Sequence, residues 1–148
     1  MTRFLLDTNI LVHAVRGDIF WTRLQLRYNL LATEPIPLIS VVTAGELRSL
    51  AYQRKWATSK RSQMEFVLGY FQTVTIFDPW IIEAYALIDS HFQIQGHNLG
   101  KNDLWIAATA NAFDATLLTT DKDFDPLSPM FIARDWINPD ASANPQAN

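Results

Sequence analysis

Short apolar segments that alternate with stretches of helical spacing, none of them showing a strict polar–apolar alternation, leave this chain few folds to adopt. Residues 3–6, 38–42, 73–77 and 115–119 are apolar, β-branched or aromatic, and read as strands; residues 130–133 read as a last one. Helical spacing runs from Ile10, over 19–31 after Gly17-Asp18, from Thr43 onward, and over 59–71. A further helix opens at Asp78-Pro79, with Asp as cap and Pro at the first position, and stops near Gly96. Another starts at Asn102-Asp103. Strands buried on both faces and joined by helices predict an α/β sandwich with a central, mainly parallel sheet flanked by helices.

At 148 residues, with no internal repeat or linker, one domain over residues 1–137 is expected. Residues 138–148, rich in Asn, Ala and Pro, lack the apolar side chains that offset ordering entropy, and a mobile tail is expected there. There is no cysteine, so disulfides and thiolate metal sites are excluded. That fits a reducing cytoplasm, the location expected. No secretory signal is legible and no apolar run reaches the ~20 residues that span a bilayer, so no membrane association is expected.

The net charge of −3 argues against general coating of nucleic acid. Its distribution is uneven. Arg48, Arg54, Lys55, Lys60 and Arg61 fall together, whereas seven aspartates from Asp103 to Asp140 crowd the last third. A basic flank beside an acidic focus would hold a polyanion through local patches or bound cations. A solvated helix face explains the basic stretch equally well.

In an open parallel sheet, sites form beyond the carboxyl ends of the strands. Asp7 and Asp121 each follow a predicted strand, and Glu46 and Asp103 each fall in the first turn of a predicted helix. Each has a plainer account: turn acids at Asp7 and Asp121, a capping box for Thr43 and Glu46, a helix-dipole partner in Asp103. Together they are harder to explain that way. Four converging carboxylates repel one another unless a cation lies among them. Thr8, Asn9, Asn102, Thr119 and Thr120 stand ready to orient them. Carboxylates without His or Cys suit Mg2+ or Mn2+, and hence phosphate chemistry. His13, His91 and His97 are scattered, and His13 reads as a surface or core histidine rather than a base. The five tryptophans read as packing or interface residues before stacking platforms.

The segments Leu5-Leu6-Asp7-Thr8-Asn9-Ile10-Leu11, Thr43-Ala44-Gly45-Glu46-Leu47, Asn102-Asp103-Leu104-Trp105-Ile106-Ala107-Ala108-Thr109 and Leu118-Thr119-Thr120-Asp121-Lys122-Asp123-Phe124 resemble, in order, the motifs of PIN-domain nucleases. Within that superfamily they are most similar to VapC-type toxins of toxin–antitoxin pairs. The resemblance implies a PIN fold and an endoribonuclease dependent on Mg2+ or Mn2+. Its catalytic acids fall on Asp7, Glu46, Asp103 and Asp121, with Asp7, Asp103 and Asp121 as metal ligands. Thr119 takes the supporting polar position and Asp123 is an extra acid. It also implies an RNA substrate, products with 5′-phosphate and 3′-hydroxyl ends, a small antitoxin partner and a homodimer. Residues 48–89 match no motif, and substrate choice and partner contacts are expected there. Two rivals stay open: a non-catalytic RNA- or protein-binding domain of the same fold, and an aspartyl-phosphate phosphatase with Asp7 as nucleophile. The second usually wants another acid two residues on, where Asn9 stands.

Overall fold

In β1 (Phe4–Leu6) successive side chains leave the strand on opposite faces, and both faces are covered. Leu5 enters one core cluster and Leu6 the other, and both are fully buried. The pattern repeats at Leu38 and Ile39 of β2 (Leu38–Ser40), and at Leu117 and Leu118 of β4 (Thr116–Thr119). This double burial is why the strands read as unbroken apolar runs.

The computed structural model describes residues 1–140. After β1 come α1 (Thr8–Arg16) and α2 (Ile19–Tyr28), then β2, α3 (Val41–Gln53) and α4 (Thr58–Leu68). They are followed by β3 (Gln72–Val74), α5 (Pro79–Ile94), α6 (Lys101–Ala112), β4, a 3-10 helix (Lys122–Leu127) and β5 (Ala133–Trp136). The five strands form one sheet in the order β3-β2-β1-β4-β5, and every pairing is parallel. Leu5 pairs with Leu38 on one side and with Leu117 on the other. The chain thus winds outward from β1 toward β3, and the second half is laid on the opposite edge. The boundary between β1 and β4 is the topological switch point, where open parallel sheets place their ligands.

Helices cover both faces. Ile10, Leu11, Leu24, Leu47 and Met64, from α1 to α4, pack with Leu6, Ile39 and Leu118. Ile88 and Phe92 of α5 and Leu104 of α6 pack with Leu5, Leu38 and Leu117. Local signals set several ends. Gly17 closes α1 in a left-handed conformation (φ 61°), and the Asp78 side chain accepts the Trp80 N–H at 2.8 Å to open α5.

Several boundaries differ from expectation: α4, for instance, ends at Leu68 rather than at residue 71. β2 stops at Ser40, because its hydroxyl accepts the Val42 N–H at 3.1 Å and starts α3 two residues before Thr43. Thr43 is therefore no cap, and Glu46 lies in the second turn rather than the first. α2 ends at Tyr28, since Asn29 turns left-handed (φ 51°). β3 ends at Val74, and Phe77, expected in a strand, is 94% exposed. The last strand is Ala133–Trp136, not residues 130–133. Phe131 N–H bonds Leu127 O in a turn, and pairing with β4 begins only at Ala133. Residues 141–148, most of the expected mobile tail, lie outside the described residues. No helix among the described residues is long and apolar enough to cross a membrane.

Candidate active site

Asp7 leaves the end of β1 and caps α1. Its Oδ1 accepts the Thr8 N–H at 2.8 Å, and its Oδ2 accepts the Thr119 hydroxyl at 2.6 Å. Thr119 ends β4, is fully buried, and also accepts the Asp121 N–H at 2.9 Å. Asp121 in turn caps the 3-10 helix by accepting the Asp123 N–H at 2.8 Å. Phe124, fully buried in the core beneath, pins that helix in place. The turn-acid reading of Asp7 and Asp121 is thus true in geometry, and the same turns aim both carboxyls into one cleft.

Glu46 reaches the cleft from α3. Its Oε1 lies 2.9 Å from the Thr8 hydroxyl, which in turn lies 3.2 Å from the hydroxyl of buried Thr43. Thr43 serves as part of this hydroxyl chain. Asp103 comes from the first turn of α6, whose start at Gly100 has no side-chain cap.

The cleft is open, about 660 Å³ in volume, and brings Asp7, Glu46, Asp103 and Asp121 together with Thr8, Asn9 and Asn102. One carboxylate oxygen from each of Asp103, Asp121 and Asp123 lies within 4.8 Å of the others. Asp123, expected only as an extra acid, therefore stands beside two of the main four. Thr119 touches the site from below, through Asp7 and Asp121.

The crowding has an electrostatic signature. Burial, chiefly, raises the Asp7 carboxyl to about 6, against the pull of its bonds to Thr119 and Thr8; repulsion from Asp121 and Glu46 adds to the rise. Asp103 is raised to about 7, first by burial and then by repulsion from Asp7, Asp121, Glu46 and Asp123. A structural protein gains nothing from such a cluster, whereas a cation lowers its cost directly. Asp103, Asp121 and Asp123, three hard oxygen donors at this spacing, fit Mg2+ or Mn2+, while buried Asp7, expected as a ligand, lines the same cleft outside that group.

The wall formed by Val42, Gly45, Ser49, Leu50 and Gln53 was not singled out from the sequence. With Glu46 these residues recur at helical spacing along α3, so the signal was a second face beside the one that buries Leu47 and Ala51. His13 does not line the cleft. It bonds Asp18 at 2.6 Å and stacks on Phe20. Of the basic stretch, Arg48 pairs with Glu65 at 3.0 Å, and Lys60 and Arg61 lie over the rings of Trp56 and Tyr52. Trp56 is core, Trp105 stacks on Tyr85, and Trp136 donates to Thr120 O.

Comparison with known proteins places these observations. A family model described as PIN domain matches residues 4–128. The chain is 29% identical over 136 residues to Ribonuclease VapC2 of Rickettsia felis, covering 90% of this chain and 97% of that protein. It is 36% identical over 88 residues to Ribonuclease VapC4 of Mycobacterium tuberculosis, covering 58% of this chain and 67% of that one. Among solved structures, VapBC2 of Rickettsia felis, bound to a DNA fragment from their promoter, superposes with a TM-score of 0.77 at 24% identity, over 90% of this chain and 98% of that one. VapBC-1 of nontypeable Haemophilus influenzae superposes with a TM-score of 0.72 at 22% identity, over 91% and 98%. These two likenesses carry the fold.

Proposed function

This chain belongs to the PIN-domain family, and from that premise we propose that it is a divalent-metal-dependent endoribonuclease, the toxin of a type II toxin–antitoxin pair. The observation that carries the reading is the convergence of Asp7, Glu46, Asp103 and Asp121 in one cleft at the switch point of the sheet. The naming of its relatives as ribonucleases supports the substrate class. The catalytic unit is the domain of residues 1–137.

Asp7, Asp103 and Asp121 would hold Mg2+ or Mn2+, with Asp123 as a further ligand. The chemistry supplied by such an ion is acidification of water and neutralisation of charge on the phosphoryl group. The protein's own groups do the rest. Thr119 donates to the Asp7 carboxylate and accepts from the Asp121 backbone, so one hydroxyl fixes the relative placement of the two acids. Glu46, held through Oε1 by Thr8, keeps Oε2 for orienting a water or taking its proton. Asn9 and Asn102, both exposed at the rim, offer neutral donors to phosphate oxygens without adding to the charge. The products would carry 5′-phosphate and 3′-hydroxyl ends.

The VapBC complexes among its structural neighbours support a small antitoxin as partner. A homodimer and a cytoplasmic location complete the proposal.

The test is to incubate the purified protein with structured RNA in Mn2+ and in EDTA, and to map 5′ ends after brief expression in a bacterial host. Cleavage in Mn2+, none in EDTA, and no new ends with Asp103→Asn are expected. Undiminished cleavage in EDTA would refute the mechanism. Absence of cleavage in every metal would leave the non-catalytic binding domain as the better reading.

A further inference from the structure

Gly45 stands inside α3 with ordinary helical backbone, and a Cβ added there would meet nothing within 4 Å. A glycine in a helix interior is destabilising by roughly 0.5–1 kcal/mol relative to alanine, through lost backbone entropy. Usually some local need offsets that. Gly17 and Gly96 have positive φ, and a Cβ at Gly69 would press to 3.3 Å from Phe66 O. Gly45 has neither reason. What it does have is position: it lines the cleft next to Glu46, on the same face of α3 as Val42, Ser49 and Gln53.

That face is uncharged beyond Glu46. From Val42 to Gln53 it extends about 16 Å along the helix axis. The Gln53 amide donates to Ser49 Oγ at 2.8 Å, and exposed Arg54 and Lys55 follow at the helix end. The track therefore leads from the acid cluster, over bare helix, to the end of α3, just beyond which the chain carries two exposed cations. A polyanion lying along α3 has its unfavourable neighbours at the acid end only, a neutral wall in between, and cations beyond the far end.

We infer that Gly45 is a substrate-positioning residue, a patch of bare helix against which the sugar–phosphate backbone of a single RNA strand lies as it runs from the acids toward the C-terminal end of α3. The inference rests on the ribonuclease reading for its substrate class. Without a Cβ, the strand approaches the helix surface closely enough for its phosphate to reach a cation that Asp103 and Asp121 would hold across the cleft. Any side chain at Gly45 fills that space, while leaving the free protein's packing untouched.

The experiment compares wild type, Gly45→Ala and Gly45→Leu in three measurements: melting temperature in EDTA, anisotropy of a labelled single-stranded RNA oligomer in Ca2+, a hard cation suited to the acid cluster, and steady-state cleavage in Mn2+. Gly45→Ala is expected to melt a few degrees higher, about 2–4 °C for a chain of this size. The oligomer's dissociation constant and KM should rise by roughly threefold for Ala and tenfold or more for Leu, with kcat nearly unchanged. Lower melting for Gly45→Ala would reveal a structural need for glycine and overturn the inference. So would equal oligomer binding by all three proteins. A wild type that binds the oligomer but cuts nothing defeats the hydrolase reading alone, and the binding series still decides the role of Gly45.

Discussion

The Thr119 hydroxyl donates to Asp7 Oδ2 at 2.6 Å, across 112 positions of sequence, and joins the carboxyl ends of β1 and β4. The same oxygen accepts the Asp121 N–H, so one buried hydroxyl orients two acids of the cleft.

Replacing Thr119 with valine keeps the shape and removes both functions. Thr119→Val should lose about 1–3 kcal/mol of stability, as expected when a buried acceptor loses a charge-assisted partner. RNA cleavage should fall by at least about tenfold, because Asp7 and Asp121 lose their common anchor. Thr119→Ser should recover most of both. Chemical denaturation and initial rates check this; equal rates for Val and wild type would show the acids are held by other means.

Asp103 differs from Asp7 and Asp121 in capping no helix turn. Its favourable interaction with the α6 dipole is worth roughly 0.3–1 kcal/mol. The rise of its carboxyl to about 7 means burial and repulsion outweigh that gain. Asp103→Asn should therefore raise the melting temperature in EDTA, whereas Asp7→Asn, which disturbs the bonds to Thr8 and Thr119, should gain less. Added Mn2+ should reverse the order, stabilising wild type most. Thermal melts at increasing Mn2+ test this, and a wild type that Mn2+ shifts no more than Asp103→Asn would argue against a shared ion site.

Acidity should act on the metal-free protein in an unusual direction. Asp7 and Asp103 have folded-state values of about 6 and about 7, above the ordinary 3.8. The fold therefore prefers their protonated forms. Their contribution is fully present below the unfolded value and is lost as pH rises through the folded ones. In EDTA this contribution makes the melting temperature fall between about pH 4 and about pH 7, and Mn2+, which binds better once the protons leave, should flatten that fall. A melting temperature that climbs over this range in EDTA would contradict the assignment.

Thr8 links Glu46 to Thr43 through one hydroxyl. Thr8→Val should lower kcat by about tenfold while leaving KM within about twofold, the mark of lost orientation rather than lost binding. Thr8→Ser should restore the rate. Steady-state cleavage of one RNA substrate measures both, and an unchanged kcat in Thr8→Val would mean Glu46 finds its place unaided.

The acids were legible because each sits beside a signal written locally: Asp7 and Asp121 at the ends of apolar runs, Asp103 at a helix start. The α/β class was legible for the same reason, since strands buried on both faces cannot alternate. Other features depended on distant partners. Whether Val41 and Val42 continue β2 or open α3 turns on the Ser40 cap and on how far β3 pairs along the strand. Met130, Phe131 and Ile132 have strand-like composition, yet the hydrogen-bond ladder of β4 is available only from Ala133 onward. The sequence by itself determined which acids exist, in what order, and, for Asp7, Asp103 and Asp121, at which element ends. Tertiary structure alone decided that Asp123 joins Asp103 and Asp121, that Thr43 supports Thr8 instead of capping a helix, and that Gly45 faces the cleft. The physical reason is that propensity and capping act within a few residues, whereas convergence is set by strand order, which depends on contacts between segments far apart in the chain.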